Sequence, residues 1–94
     1  MSEGLLFVLI AHIPPHGIES FNAYEDRVLP LLGEHGGVLQ RRLRSDDGGT
    51  EVHLVWFPSS AAFEAYRADP RRAELAPLMA ASEAGLELLS MRDV

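Results

Sequence analysis

The stretch LLFVLIAHI (5–13) constrains the fold more than any other part of the chain. Extended, it turns Leu5, Phe7, Leu9 and Ala11 to one side and Leu6, Val8, Ile10 and His12 to the other. A strand that is apolar on both sides has to be covered on both sides, which places it in the interior of a sheet. The following PPHG (14–17) ends it, because proline has no N–H to give to a ladder.

From Ile18 the period changes from two to that of a helix. Ile18, Phe21, Tyr24 or Glu25, Val28, Leu31, Leu32 and His35 recur at helical spacing, which predicts an amphipathic helix. Pro30 lies inside it and is expected to kink it or release one carbonyl, and Gly36-Gly37 supply a left-handed end. VLQRRLR (38–44) reads as a second strand near an edge, SDDGGT (45–50) as a hairpin loop, and EVHLVWF (51–57) as a third strand. Simple closure of that hairpin sets Arg44 near Glu51 and Arg42 near His53. It gathers Leu39, Leu43, Val52, Leu54 and Trp56 on one face, with Gln40, Arg42, Arg44, Glu51, His53, Val55 and Phe57 on the other. Pro58 stops the strand, and Ser59 or Ser60 caps a helix that buries Ala62, Phe63 and Tyr66. Asp69-Pro70 is a second helix start, ahead of Leu75, Leu78 and Met79. GLELLSMRDV (85–94) completes the chain as a fourth strand.

The order is β-α-β-β-α-β, an α+β, ferredoxin-like pattern with a four-stranded antiparallel sheet. Residues 1–94 are expected to form one domain, with no repeats, linkers or low-complexity tracts. Both helices of this topology cover one face, and the first and fourth strands leave apolar side chains on the other. A second copy of the sheet is the simplest cover, so a homodimer joined face to face, a dimeric α+β barrel, is expected. At about 25 cal/mol per Å², each ~100 Å² of apolar area covered contributes about 2.5 kcal/mol before the costs of association.

Composition narrows the partners. A net charge of −6 and a pI near 5 argue against nucleic acid and against anionic membranes, and all eight basic residues are arginine. The exclusive use of arginine fits either codon bias or selection for bidentate anion binding. Without cysteine there are no disulfides or thiolate metal sites. The amino-terminal apolar run is too short to cross a bilayer, has Glu3 before it and lacks a cationic leader, so a cytoplasmic protein is expected.

FNAYEDRVLPLLGEHGG and VWFPSSAAFEAYRADP, together with the first strand, resemble the dimeric α+β barrel superfamily over nearly the whole chain. Within it the likeness is to a domain-of-unknown-function branch (1330-type), related to antibiotic biosynthesis monooxygenase-like proteins. That superfamily includes cofactor-free monooxygenases, haem-degrading enzymes, lactone isomerases and ligand-sensing modules. The resemblance implies a pocket between sheet and helices for an aromatic or polyketide-like compound. Relatives often carry an aromatic residue soon after the Asp-Pro step, where this chain has Arg71-Arg72.

Four groups of residues are candidates for chemistry. His12 and His16 frame HIPPH, a metal-pair spacing on a helix, but two prolines prevent a helix here. His12 remains a candidate base at a strand end. His53, beside Arg42 and Glu51, is a candidate general base with an anion-binding partner; the competing reading is a polar cluster that pairs within or between subunits. Asn22, Tyr24, Trp56 and Tyr66 are candidates to line the pocket, against the reading that they only fill a core. The arginines of RRLR and RADPRR read as a solvated face. No phosphate loop, nucleophile elbow or metal-ligand cluster is present, so neither cofactor nor metal is expected. The function these features favour is small-molecule binding, with a histidine abstracting a proton in a cofactor-free monooxygenase-like or isomerase-like enzyme. A non-catalytic dimeric ligand-binding or stress-associated module is the alternative.

Overall fold

A computed structural model describes residues 4–94; Glu3, which enters the reading of the amino terminus, lies outside the described residues. Strands β1 (Leu5–His12), β2 (Val38–Arg44), β3 (Thr50–Phe57) and β4 (Gly85–Met91) form one antiparallel sheet in the order β2-β3-β1-β4. The doubly apolar β1 is interior, as its sequence requires, and β3 is its inner neighbour. A 3₁₀ turn at Pro15–Gly17 leads into α1 (Ile18–Glu34), and two further helices, α2 (Ser60–Arg67) and α3 (Pro70–Ser82), cross back to β4.

The punctuation works as local chemistry predicts. Gly36 takes the left-handed conformation (φ 80°) just past α1, which a side chain would oppose. Ser59 Oγ accepts from Ala62 N at 3.1 Å to cap α2, and Asp69 Oδ1 accepts from Arg71 N at 2.9 Å to cap α3. Pro30 is accommodated inside α1 on its exposed side.

One sheet face carries the core. Phe7 and Phe57 meet edge to face, and Phe63 stacks on Phe7 with ring centroids 4.3 Å apart. Leu32, Leu39, Val55 and Tyr66 complete this end. Ala11, Ile13 and Phe21 fill the other end, and Tyr24, Val28 and Leu31 of α1 pack toward Leu75, Leu78 and Met79 of α3.

The register of β2 corrects the simple hairpin. Leu39 opposes Val55, whereas Arg41 opposes Leu54, so Gln40 is an extra residue bulged out of the ladder. Leu39 therefore points to the helices and packs in the core, on the face opposite to Leu43. Beyond the bulge, Arg42 and Arg44 share the helix-side face with their partners His53 and Glu51. The opposite sheet face has no element of this chain over it among the described residues. Val38, Leu43, Leu89 and Met91 are there 48%, 48%, 43% and 45% exposed, around Val8, Leu54 and Trp56. Among the described residues, no helix is long and apolar enough to cross a membrane.

Candidate active site

Between the sheet and the helices lies a cavity of about 250 Å³. Phe7 and Leu9 of β1, His53 and Val55 of β3, and Leu86 and Leu88 of β4 form its floor; Tyr24, Glu25, Val28, Phe63, Tyr66, Arg72 and Met79 close over it. An apolar enclosure with a few converging polar groups is the usual character of a small-molecule site.

His53 reaches this cavity because β3 alternates: 51, 53, 55 and 57 are the helix-side positions, each matched to an odd-numbered residue of β1. The ring is 3% exposed and bonds through Nε2 to Glu51 Oε2, whose side chain is 1% exposed. Glu51 also accepts from Arg42 Nε at 2.9 Å and Arg44 Nε at 2.7 Å, and Arg44 Nη2 donates to Asn22 Oδ1 of α1 at 2.7 Å. Burial works to raise the Glu51 carboxyl, but the hydrogen bonds from His53, Arg44 and Arg42 outweigh it and hold the group below the ordinary glutamate range. An ionised Glu51 can only accept, so His53 Nε2 carries the proton and Nδ1 keeps the lone pair of the neutral ring. Carboxylate and imidazole are thus arranged as an oriented base.

Two further groups belong to the site and were not legible as such. Glu25, 2% exposed, lies on the inner face of α1 beside Tyr24; the helical stripe is wide enough to bury both. Burial, reinforced by the negative charge of Glu51 and opposed by Arg42, Arg72 and Arg44, raises its carboxyl from 4.5 to about 7. Arg72, from the segment read as solvated, lies over the Tyr66 ring at 4.5 Å and donates from Nη2 to Tyr24 Oη at 3.3 Å. Its buried Nε has no acceptor among the described residues. It follows the Asp69-Pro70 step by two residues. Burial pushes the Tyr66 hydroxyl up to about 12, so that ring stays neutral.

The other candidates fall elsewhere. Trp56 is on the bare sheet face, opposite Leu6 and Val38, and does not line the cavity, which corrects the expected aromatic trio of Tyr24, Trp56 and Tyr66. The error is one of parity, since an even-numbered position of β3 cannot face the helices. His12 is exposed at the end of β1 on that same bare face and pairs with Glu87 at 3.2 Å; His16 pairs with Glu83 at 2.6 Å. The two histidines are therefore each matched to a distant acid. Asn22 and Arg42 border a separate polar cleft with Asp26, Leu43, Arg44 and Glu51, on the outer side of the Glu51 network.

Glu25, Glu51 and His53 offer ligand atoms within 4.8 Å of one another, a spacing that suits a cation. The two guanidiniums on Glu51 more than offset its single charge and repel a metal ion. The set is better suited to moving protons than to holding a metal.

A four-stranded antiparallel sheet with its helices on one face is also the fold of antibiotic biosynthesis monooxygenase-like structures, and the chain has that fold. SnoaB, a cofactor-independent oxygenase from Streptomyces nogalater, is similar at 19% identity, with 99% of this chain and 97% of that one covered and a TM-score of 0.75. A candidate antibiotic biosynthesis monooxygenase from Bacteroides thetaiotaomicron superposes at a TM-score of 0.83, with 16% identity over 98% of this chain and 90% of the other. A further antibiotic biosynthesis monooxygenase gives 0.76 at 18% identity, covering 95% and 98%. No protein-family model matches the chain, and no curated protein matches it by sequence. At these identities the likeness establishes the fold alone.

Proposed function

We propose that the protein binds a compact aromatic or polyketide-like compound in the sheet–helix cavity and acts on it as a cofactor-free monooxygenase-like or isomerase-like enzyme. The observation that carries this reading is the oriented, buried His53–Glu51 pair on the wall of an apolar cavity of about 250 Å³. His53 takes a proton from the bound compound. The resulting electron-rich carbon then reacts with dioxygen or is reprotonated elsewhere. Tyr24 and Tyr66 flank the flat ring, and Glu51, held in place by Arg42 and Arg44, accepts the hydrogen bond of the imidazolium that forms. The similarity to a cofactor-independent oxygenase supports the oxygen-dependent branch.

The protein is further proposed to be a cytoplasmic homodimer joined through its bare sheet face, within the 1330-type branch of the superfamily. The exposed Val38, Leu43, Leu89 and Met91 support that assembly. Calorimetric titration with 1-naphthol, followed by the structure of a soaked crystal, tests the ligand site. Naphthol is expected in the cavity against His53; no uptake at millimolar concentration, or uptake only at other places, refutes the reading. The competing reading, a non-catalytic dimeric module, draws on the engagement of His53, Glu51 and both arginines with one another. It predicts that His53→Ala lowers stability and leaves naphthol binding unchanged.

A further inference from the structure

Glu25 has a different setting from every other acid of the site. It lines the cavity almost wholly buried, yet among the described residues its carboxyl makes no hydrogen bond or ion pair. Leaving a buried carboxyl without a partner is costly, and such a group is retained where something else supplies the partner. One oxygen of Glu25, one oxygen of Glu51 and one of the two His53 ring nitrogens lie within 4.8 Å of one another. Two proton-transfer groups that close can reach adjacent atoms of a single C–C=O unit, one at the carbon and one at the oxygen.

We propose that Glu25 is a catalytic acid of this cavity, giving a proton to the carbonyl oxygen of a flat, enolisable aryl ketone while His53 removes one from the adjacent carbon. The inference rests on the cavity being a ligand site and narrows its substrate class. In the forward step the C–H bond breaks and its electron pair becomes the C=C bond of the enol. The C=O π pair takes the Glu25 proton, leaving an enol, an imidazolium and a carboxylate. Return of the imidazolium proton to carbon, and of the hydroxyl proton to Glu25, restores both groups, so no oxidant or reductant is consumed. Arg72, stacked over the Tyr66 ring, closes the other end of the cavity.

The electrostatics agree with this geometry. Glu51 and His53 of β3, Arg42 and Arg44 of β2, Tyr66 of α2 and Arg72 of α3 all face Glu25. Burial and the Glu51 charge together keep the carboxyl protonated up to about pH 7, whereas an exposed glutamate is ionised there. A buried acid held neutral near pH 7 is what donation to a carbonyl needs.

The test uses 1-tetralone as probe in D₂O, following loss of its α-proton signal by NMR, with binding read from shifts of the cavity methyl groups. The full chain is expected to exchange those protons faster than buffer alone, with the protein-dependent rate falling as pH rises through about 7. Glu25→Gln keeps a hydrogen-bond donor but no transferable proton. It is expected to bind tetralone within threefold of the parent, to lose at least tenfold in exchange rate and to lose the pH limb. Glu25→Asp is expected to recover part of the rate. Tetralone bound with no exchange by the parent, or with equal exchange by Glu25→Gln, overturns the role of Glu25 and leaves the ligand site standing. Absence of tetralone from the cavity overturns both.

Discussion

Glu25→Gln should make the protein more stable above about pH 4.5, by a margin that grows until about pH 7 and then levels off. Each pKa unit is worth about 1.4 kcal/mol. A carboxyl that titrates at about 7 in the fold and at 4.5 in the open chain therefore costs the folded state about 3 kcal/mol once it is ionised. The folded state binds the proton more tightly than the unfolded one. The neutral carboxyl's contribution is accordingly intact below pH 4.5, declines as pH rises toward 7 and is gone above it. Glutamine imitates the protonated acid at every pH. Urea denaturation at one fixed protein concentration should give matching midpoints for parent and variant near pH 4.5. At pH 8.5 the variant should gain about 3 kcal/mol, or roughly 1–3 M in urea midpoint for a domain of this size. A difference between the two proteins that is the same at both pH values would refute the burial of an unpartnered Glu25, and with it the electrostatic reasoning at the site.

Phe57, 1% exposed and in ring contact with Phe7, Phe63 and Tyr66, should cost about 3–5 kcal/mol when truncated to alanine, seen as a large fall in melting temperature; a fall of only a few degrees would place it outside the core. Leu89→Glu on the bare sheet face should convert the proposed dimer to a folded monomer in sedimentation while the circular dichroism is retained, and an unchanged sedimentation coefficient would point to another interface. Asp69 caps α3 and bonds His35 of the α1 end at 2.8 Å; hydrogen bonds from Arg71 and His35 hold its carboxyl well below the usual aspartate value of 3.8. Its stabilising effect is present above that value and is lost as pH falls toward the depressed one. Asp69→Ala should therefore lower the melting temperature at pH 7 and approach the parent in strong acid, as read by melting curves across the pH range.

The architecture was legible because its signals are local. The doubly apolar β1, the left-handed Gly36 and the side-chain caps at Ser59 and Asp69 each act within a few residues, and the structure places each as read. The pairing of Arg42 with His53 and of Arg44 with Glu51 was legible for the same reason, across one short hairpin. The cavity was less so. Strict alternation already puts Trp56 and His53 on opposite faces, and no aromatic count can override that parity. Glu25 and Arg72 carry the polar character of the cavity, but charged residues in amphipathic helices are by default read as solvated. Only the packing of α1 on α3 and of both over the sheet takes them out of water. The acids paired with His12, His16 and His35 likewise come from positions remote in the chain.

Gln40 decides which way the cations of β2 face. With that residue out of step, Leu39 and Arg42, three apart, both look inward; in an unbroken ladder they would look in opposite directions. Shortening the strand by one residue at this point would leave a choice between burying Leu39 and supplying Glu51 with its guanidiniums, since the same ladder could no longer do both. The bulge is thus what allows a hydrophobic anchor and a charged counterweight to be cut from one seven-residue ribbon. A chain of this fold lacking the insertion would need a different way to neutralise an acid beneath its helices.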